Sequence, residues 1–275
     1  MTDKDEKMSS ATKQKGEPKK FIKNPIKGTK YTIMVSSAKG GVGKSTFAIN
    51  LAFALKSLGK RVGILDADIF GPSLPKLIGK NIKPETENGK AIIPIDSHGI
   101  QCISMGFLVE ETTPMIWRGP MVISAIKTLT EKVLWKDLDY IIVDMPPGTG
   151  DTQLTFAQDI KIDGAVIIST PQDIALLDVK RGIQMFDRMK INIIGLVDNM
   201  SFFKGDDGKN YNIFGEGGVE KTAKEFNKKF LGKIPLHKDL RESADNGKPL
   251  CYANPDHEIS IIFKEIAKKI KLGLE

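Results

Sequence analysis

The sequence predicts an α/β domain built on a mostly parallel, twisted sheet flanked by helices on both faces. Three observations carry that expectation. From Tyr31 onward, short β-branched runs alternate with longer helical stretches. Several of the runs are almost continuously apolar, as parallel strands covered on both sides must be. A glycine-rich stretch, "SSAKGGVGKST" (36–46), stands between the first strand and the first helix.

Taken in order, strands are expected at 31–37, 61–67, 100–105, 140–145, 164–170 and 193–199. Helices are expected at 44–58, about 118–135, 152–160, 174–190 and 219–228. The last stretch, "HEISIIFKEIAKKIKLGL" (257–274), puts Ile259, Ile262, Phe263, Ile266 and Ile270 on one helical face. Such a face suits a final helix docked on the sheet; with lysines nearby it would also suit a membrane surface. In folds of this class ligands bind beyond the carboxyl ends of the strands.

Residues 1–30 lack apolar periodicity and hold nine lysines against four acids, so they read as a disordered basic tail ahead of one domain at 31–275. That tail accounts for five of the seven excess positive charges, and the net charge therefore points to no specific reader of nucleic acid. No apolar run is long enough to span a bilayer, and no apolar signal segment opens the chain. Cys102 and Cys251 lie far apart and form no CxxC. Together these features predict a cytoplasmic protein without a disulfide framework.

The glycine-rich stretch follows a strand and opens a helix, the setting a phosphate-binding loop requires. Gly40, Gly41 and Gly43 let the backbone close around phosphates, with N–H groups aimed inward at a helix start that favours anions. The nucleotide-binding stretch is therefore Ala38, Lys39, Gly40, Gly41, Val42, Gly43, Lys44, Ser45 and Thr46. Lys44 is expected to reach the β- and γ-phosphates of ATP, the Ser45 hydroxyl to ligate Mg²⁺, and Thr46 to contact phosphates further in. In "YIIVDMPPGTGD" (140–151), Asp144 ends an apolar strand where it can hold Mg²⁺ through a water. The PPGTG turn after it can set a backbone N–H against the γ-phosphate and shift when that group leaves. "ILDADIFGPSLP" (64–75) puts Asp66 and Asp68 two residues apart at another strand end, on one side while the strand lasts. The fold class narrows to a P-loop NTPase.

The loop departs from the ordinary GxxxxGK[ST] pattern, because Ala38 stands where glycine would be and Lys39 follows it. KGGVGKST resembles the deviant Walker A of the family that includes MinD, ParA and the nitrogenase iron protein. That resemblance implies a homodimer sandwiching two ATP molecules, in which Lys39 contacts the nucleotide held by the other subunit. It also implies that Asp68 orients the attacking water, that Asp66 supports the Mg²⁺ shell, and that hydrolysis is slow until a partner completes the site.

A narrower resemblance runs from residue 31 to the end. DIFGPSLP (68–75), IWRGPM (116–121), DMPPGTGD (144–151), DNMSFF (198–203), NIFGEGG (212–218) and IPLHKDLRESADNGKPL (234–250) are together similar to the Mrp/ApbC group of iron–sulfur cluster carrier ATPases. The group implies an adenine contact at Asn199 and a loop at 234–249, including Pro235, that closes over the base. It implies an iron–sulfur cluster as cargo and apoproteins as recipients. Two departures stand out. The small N-terminal domain of many relatives is replaced by the charged tail. The group's cluster-binding CxxC falls between the NMS and IFG motifs, where this chain reads "NMSFFKGDDGKNYNIFG" and has no cysteine. Asp206 and Asp207 stand in that stretch, but carboxylates replace thiolates poorly. Cys102 reads as a buried strand residue and Cys251 as a loop residue, the weaker claim to a ligand role being all that is left. Two alternatives follow: a MinD- or ParA-like positioning switch, and an assembly ATPase of the same family that holds no cluster.

Overall fold

Every apolar run that the sequence marks as a strand is one in the computed structural model, which describes residues 23–109 and 119–275. Most of the expected tail and the start of the 116–121 motif lie outside the described residues. The strands are β1 (Thr29–Ser36), β2 (Val62–Asp66), β3 (Thr86–Glu87), β4 (Ala91–Ile92), β5 (Ile95–Ser97) and β6 (Ile100–Ser104). They continue with β7 (Leu138–Asp144), β8 (Gly164–Ser169), β9 (Ile193–Lys204), β10 (Asn210–Tyr211) and β11 (Phe230–Leu236). The first helices are α1 (Lys44–Ser57), α2 (Leu74–Leu77), α3 (Gly119–Glu131) and α4 (Asp151–Asp159). After them come α5 (Asp173–Arg188), α6 (Gly218–Glu225), α7 (Lys238–Asp245), α8 (Leu250–Ala253) and α9 (Glu258–Leu272).

One sheet runs in the order β10-β9-β8-β1-β7-β2-β6-β5, with β11 paired to β9. Its interior pairings are all parallel; only β10 and β5 join antiparallel, each at an end of that order. Every residue of β2 and β8 is buried, so both faces of the sheet are covered and the continuous apolar runs are explained. The carboxyl ends of the parallel strands come out along one edge, and the register sets Asp144 beside both Val35 and Asp66.

The structure corrects two expectations and decides between the two readings of the last helix. The domain begins before Tyr31: Asn24 bridges to Ile160, Ile26 is buried, and β1 starts at Thr29. The segment expected to be a loop at 234–249 is the end of β11 followed by α7. Gly232 and Pro235 mask that strand in the sequence; β11 tolerates the proline because it pairs only with β9. The amphipathic C-terminal stretch, α9, is not a free surface helix. Ile259, Phe263, Ile266, Ala267 and Ile270 are buried, and the Phe263 ring lies 5.6 Å from that of Phe47 on α1. The face that would have met a membrane is spent on the core, and the positioning-switch alternative loses its support. Phe263→Ala is expected to cost about 3–5 kcal/mol of stability, read from urea unfolding. A cost below 1 kcal/mol would show that α9 is not part of the cooperative core. Among the described residues no helix is long and apolar enough to cross a membrane.

Candidate nucleotide site

Sequence dictates the loop after β1 locally. Gly41 and Gly43 have φ of 79° and 82°, a left-handed backbone that side chains disfavour. A Cβ at Gly43 would also run into the Asn199 side chain. That side chain donates from Nδ2 to the Val42 carbonyl at 2.7 Å, tying the loop to β9. The Ser37 hydroxyl donates to the Lys39 carbonyl at 2.9 Å, which holds the other shoulder. Lys39 is exposed and Lys44 is buried, so the two lysines of the opening motif occupy opposite environments.

The loop walls a cavity of about 250 Å³ together with Lys44, Ser45, Thr46, Asp68, Ser73 and Pro147. A second cavity of about 350 Å³ shares Gly43 and Thr46 with it and is lined by Asn199, Pro235, His237, Leu240 and Arg241 among others. The first is polar and fits phosphates; the second has apolar walls from β11 and α7 and fits a flat base. Asn199 and Pro235 both line this second cavity, and α7 rather than a loop supplies its other wall. A third cavity, about 390 Å³, shares Asp68 and Pro147 with the phosphate cradle and adds the exposed Phe70.

Inside the cradle, the Lys44 ammonium bonds directly to the Asp144 carboxylate, and both side chains are nearly fully buried. The Ser45 hydroxyl lies 3.3 Å from the same ammonium. The three groups expected to serve phosphate and Mg²⁺ therefore converge on one point. Asp66 is buried: its Oδ1 accepts from the N–H group of Asp68 (3.1 Å), and its Oδ2 accepts from the N–H groups of Ser73 (3.0 Å) and Leu74 (3.1 Å) and from the Ser104 hydroxyl (3.0 Å). With a single donor, Oδ1 keeps an acceptor position open. This network makes Asp66 the post that holds the 67–74 turn and aims Asp68. Burial first, and the charge of Asp144 second, push its carboxyl up to about 7. Asp68 is half-buried, its carboxyl raised by burial against the pull of Lys44, and its Oδ1 accepts from the Gly71 N–H at 3.3 Å.

Several contributors were invisible to sequence reasoning. Buried Gln153 on α4 accepts from the Ser36 hydroxyl at 3.2 Å and donates to the Pro146 carbonyl at 2.7 Å, clamping the PPGTG turn to β1. Gly148 N–H donates to the Ser37 carbonyl at 2.8 Å and completes the clamp. Ser73 lines the phosphate cradle with a buried hydroxyl that has no partner among the described residues; its place in the 64–75 motif was the available signal. Cys251, expected in a loop, is buried in α8, and burial pushes its thiol up to about 12. Cys102 is fully buried, its thiol raised for the same reason. Neither thiol is presented at the surface.

His237, Asp239 and His257 gather with ligating atoms within 4.8 Å of one another. Both rings accept a backbone N–H at Nδ1, from Asp239 at 3.2 Å and Ile259 at 3.1 Å, and so cap α7 and α9. A neutral ring that accepts at Nδ1 keeps its proton on Nε2. His257 Nε2, 3.1 Å from Asp239, is then a donor and has no lone pair for a metal. The cluster is a pair of helix caps behind the base cavity.

Comparison with known proteins extends this geometry. A family model described as the NUBPL iron-transfer P-loop NTPase, of the ParA group, matches residues 28–271. The chain belongs to that family. The iron-sulfur cluster carrier protein of Escherichia coli K12 is 48% identical over 93% of this chain and 70% of its own length. The iron-sulfur cluster transfer protein NUBPL of Mus musculus is 47% identical over 93% of this chain and 80% of its own. Among solved structures, the nucleotide-binding protein of Archaeoglobus fulgidus in complex with ADP superposes with a TM-score of 0.71 at 37% identity, covering 80% of this chain and 88% of that one. The cell division ATPase MinD of Pyrococcus furiosus matches with a TM-score of 0.64 at 20% identity over 88% and 98% of the two chains, a likeness of fold. As a member of this family, the chain is an ATPase.

Proposed function

We propose that this ATPase works as a cytoplasmic homodimer that serves the transfer of iron–sulfur clusters to apoproteins. The observation that carries the reading is the buried Lys44–Asp144 pair, whose lysine lines the phosphate cavity. Without nucleotide, each group neutralises the other. When ATP enters, the phosphates compete for the Lys44 ammonium, and Asp144 is released beside the Ser45 hydroxyl. Those two groups are the residues that would hold Mg²⁺, directly or through water, and the ion would supply further neutralisation of phosphate charge. Asp68, held in place by Asp66, orients the attacking water from the side of the third cavity. Lys39, exposed on the loop, is free to enter the site of a second protomer, and exposed Phe70 supports the same face as the meeting surface.

The names of the relatives support the cargo. A second reading is favoured by the burial of both thiols: an assembly ATPase of the same family that promotes cluster delivery without ligating the cluster itself. Anaerobic reconstitution followed by visible absorption separates the two. A coloured dimer that passes its cluster to an apo-acceptor supports carriage. A colourless protein that still speeds transfer in an ATP-dependent manner supports the second reading, and no effect on transfer contradicts both.

Asp68→Asn tests the hydrolytic arrangement. It is expected to lower kcat about 10²–10³-fold while ATP affinity changes little, since the carboxylate acts on water rather than on phosphate. Equal losses in turnover and binding would contradict a water-orienting role.

A further inference from the structure

One further cavity shares no residue with the phosphate and base cavities. Its volume is about 280 Å³, and Asp198, Ser201, Asn210, Asn212, Glu216 and Lys233 line it. Asp198 and Asn199 are neighbours on β9, so their side chains face opposite ways. Asn199 is tied to the phosphate loop; Asp198 serves the other side. Asp198 has no exposed surface, and neither of its carboxylate oxygens has a hydrogen-bond partner among the described residues. Lys233 stands next to it in the β9–β11 register, yet the two side chains do not meet. Buried carboxylates are almost always paired or bound to a cation. Among the described residues nothing bonds to this one directly.

The remaining lining says what would satisfy it. Glu216 adds a second carboxylate, Asn210 and Asn212 add amide oxygens, and Ser201 gives its proton to the Ile234 carbonyl at 3.1 Å, which leaves its lone pairs free. No histidine or cysteine lines the cavity. We propose that the cavity binds a divalent cation of the hard, oxygen-preferring class, with Asp198 and Glu216 as its carboxylate ligands. Oxygen donors of this kind suit Mg²⁺, Ca²⁺ or Mn²⁺ and do not suit thiolate-preferring metals. Two carboxylates against one ammonium leave the lining net negative, so the cavity attracts a cation in spite of Lys233. Burial pushes the Asp198 carboxyl up to about 7, against the pull of the Lys233 charge and with a further push from Glu220. The site is independent of the proposed function, because no residue of the nucleotide cradle belongs to it.

The test is a Mn²⁺ titration of the metal-stripped, nucleotide-free full chain, with free ion counted by electron paramagnetic resonance and thermal unfolding followed in parallel. Asp144→Asn is included to identify any ion held at the phosphate loop. Wild type and Asp144→Asn are expected to bind one Mn²⁺ and to gain thermal stability from it. Asp198→Asn is expected to lose affinity by about 100-fold or more and to show no such gain. In chelator the same variant is expected to be more stable than wild type, because a buried charge is gone. Wild type that binds no Mn²⁺ at millimolar concentration would overturn the proposal. So would an Asp198→Asn protein that binds as wild type does, or binding lost only in Asp144→Asn. If Asp198→Asn does not fold, Glu216→Gln decides: affinity weakened about tenfold or more supports the site, and unchanged affinity overturns it.

Discussion

Replacing Lys44 with alanine is expected to abolish nucleotide binding and also to destabilise the nucleotide-free protein by about 3–5 kcal/mol. The first effect follows from the cradle: Lys44 is the buried cation among the groups that line it. The second follows from what the lysine leaves behind. Asp144 keeps a buried carboxylate with its cation removed, and Asp66, already pushed up to about 7, loses the one charge that was lowering it. Removing one member of a buried pair costs far more than the pair contributes, since the survivor is stranded out of water.

The pH dependence gives this expectation a sign. A carboxyl whose pKa is raised by folding binds its proton more tightly in the native state than in the unfolded one. Native stability then falls as pH rises from about 4, the ordinary carboxylate value, through about 7, where Asp66 ionises. The penalty of Lys44→Ala is therefore expected to be larger at pH 8 than at pH 5.5. Urea unfolding of wild type and variant at the two pH values checks this. A penalty independent of pH would show that the buried carboxylates do not sense the lysine.

Lys39→Ala is expected to do nearly the reverse. ATP affinity of the protomer stays close to wild type, while ATP-dependent dimerisation is lost and turnover falls about 10³-fold or more, the range seen when a cation supplied in trans to a transferring phosphoryl group is removed. The contrast rests on burial. Lys44 lies within its own cradle, whereas Lys39 is exposed at the shoulder of the loop. Sedimentation of both proteins with a non-hydrolysable ATP analogue, beside steady-state turnover, reads the two effects separately. A variant that dimerises and turns over normally contradicts a role for Lys39 across an interface. A variant that loses nucleotide affinity puts Lys39 in its own site.

Much of this site is legible because it is local. The glycine loop, the helix that follows it and the aspartates ending β2 and β7 are set by short runs whose chemistry leaves few choices. What escaped notice depends on contacts between distant residues. Asp66 was expected near the metal, and only the arrival of Ser104, 38 residues on, together with the backbone of Ser73 and Leu74, shows that its carboxylate also anchors the 67–74 turn. Gln153 looked like an ordinary helical polar residue until Ser36, 117 positions away, gave it a purpose. β11 was hidden by Gly232 and Pro235, which break strand propensity but are tolerated where only one neighbour must be paired. The amphipathic α9 was ambiguous in principle, because a helical stripe records that a face will be covered and not by what. Asp198 is the clearest case: a missing partner is a property of the fold and has no trace in the chain order.

The account rests on Lys39 acting within the site of a second protomer, and a crystal structure of the protein with a non-hydrolysable ATP analogue tests it most directly. The expected result is two protomers face to face, Lys44 withdrawn from Asp144 onto its own nucleotide, and each Lys39 Nζ within about 3 Å of a phosphate oxygen held by the partner. A nucleotide-loaded single protomer, or a dimer in which both Lys39 side chains point into solvent, would contradict it.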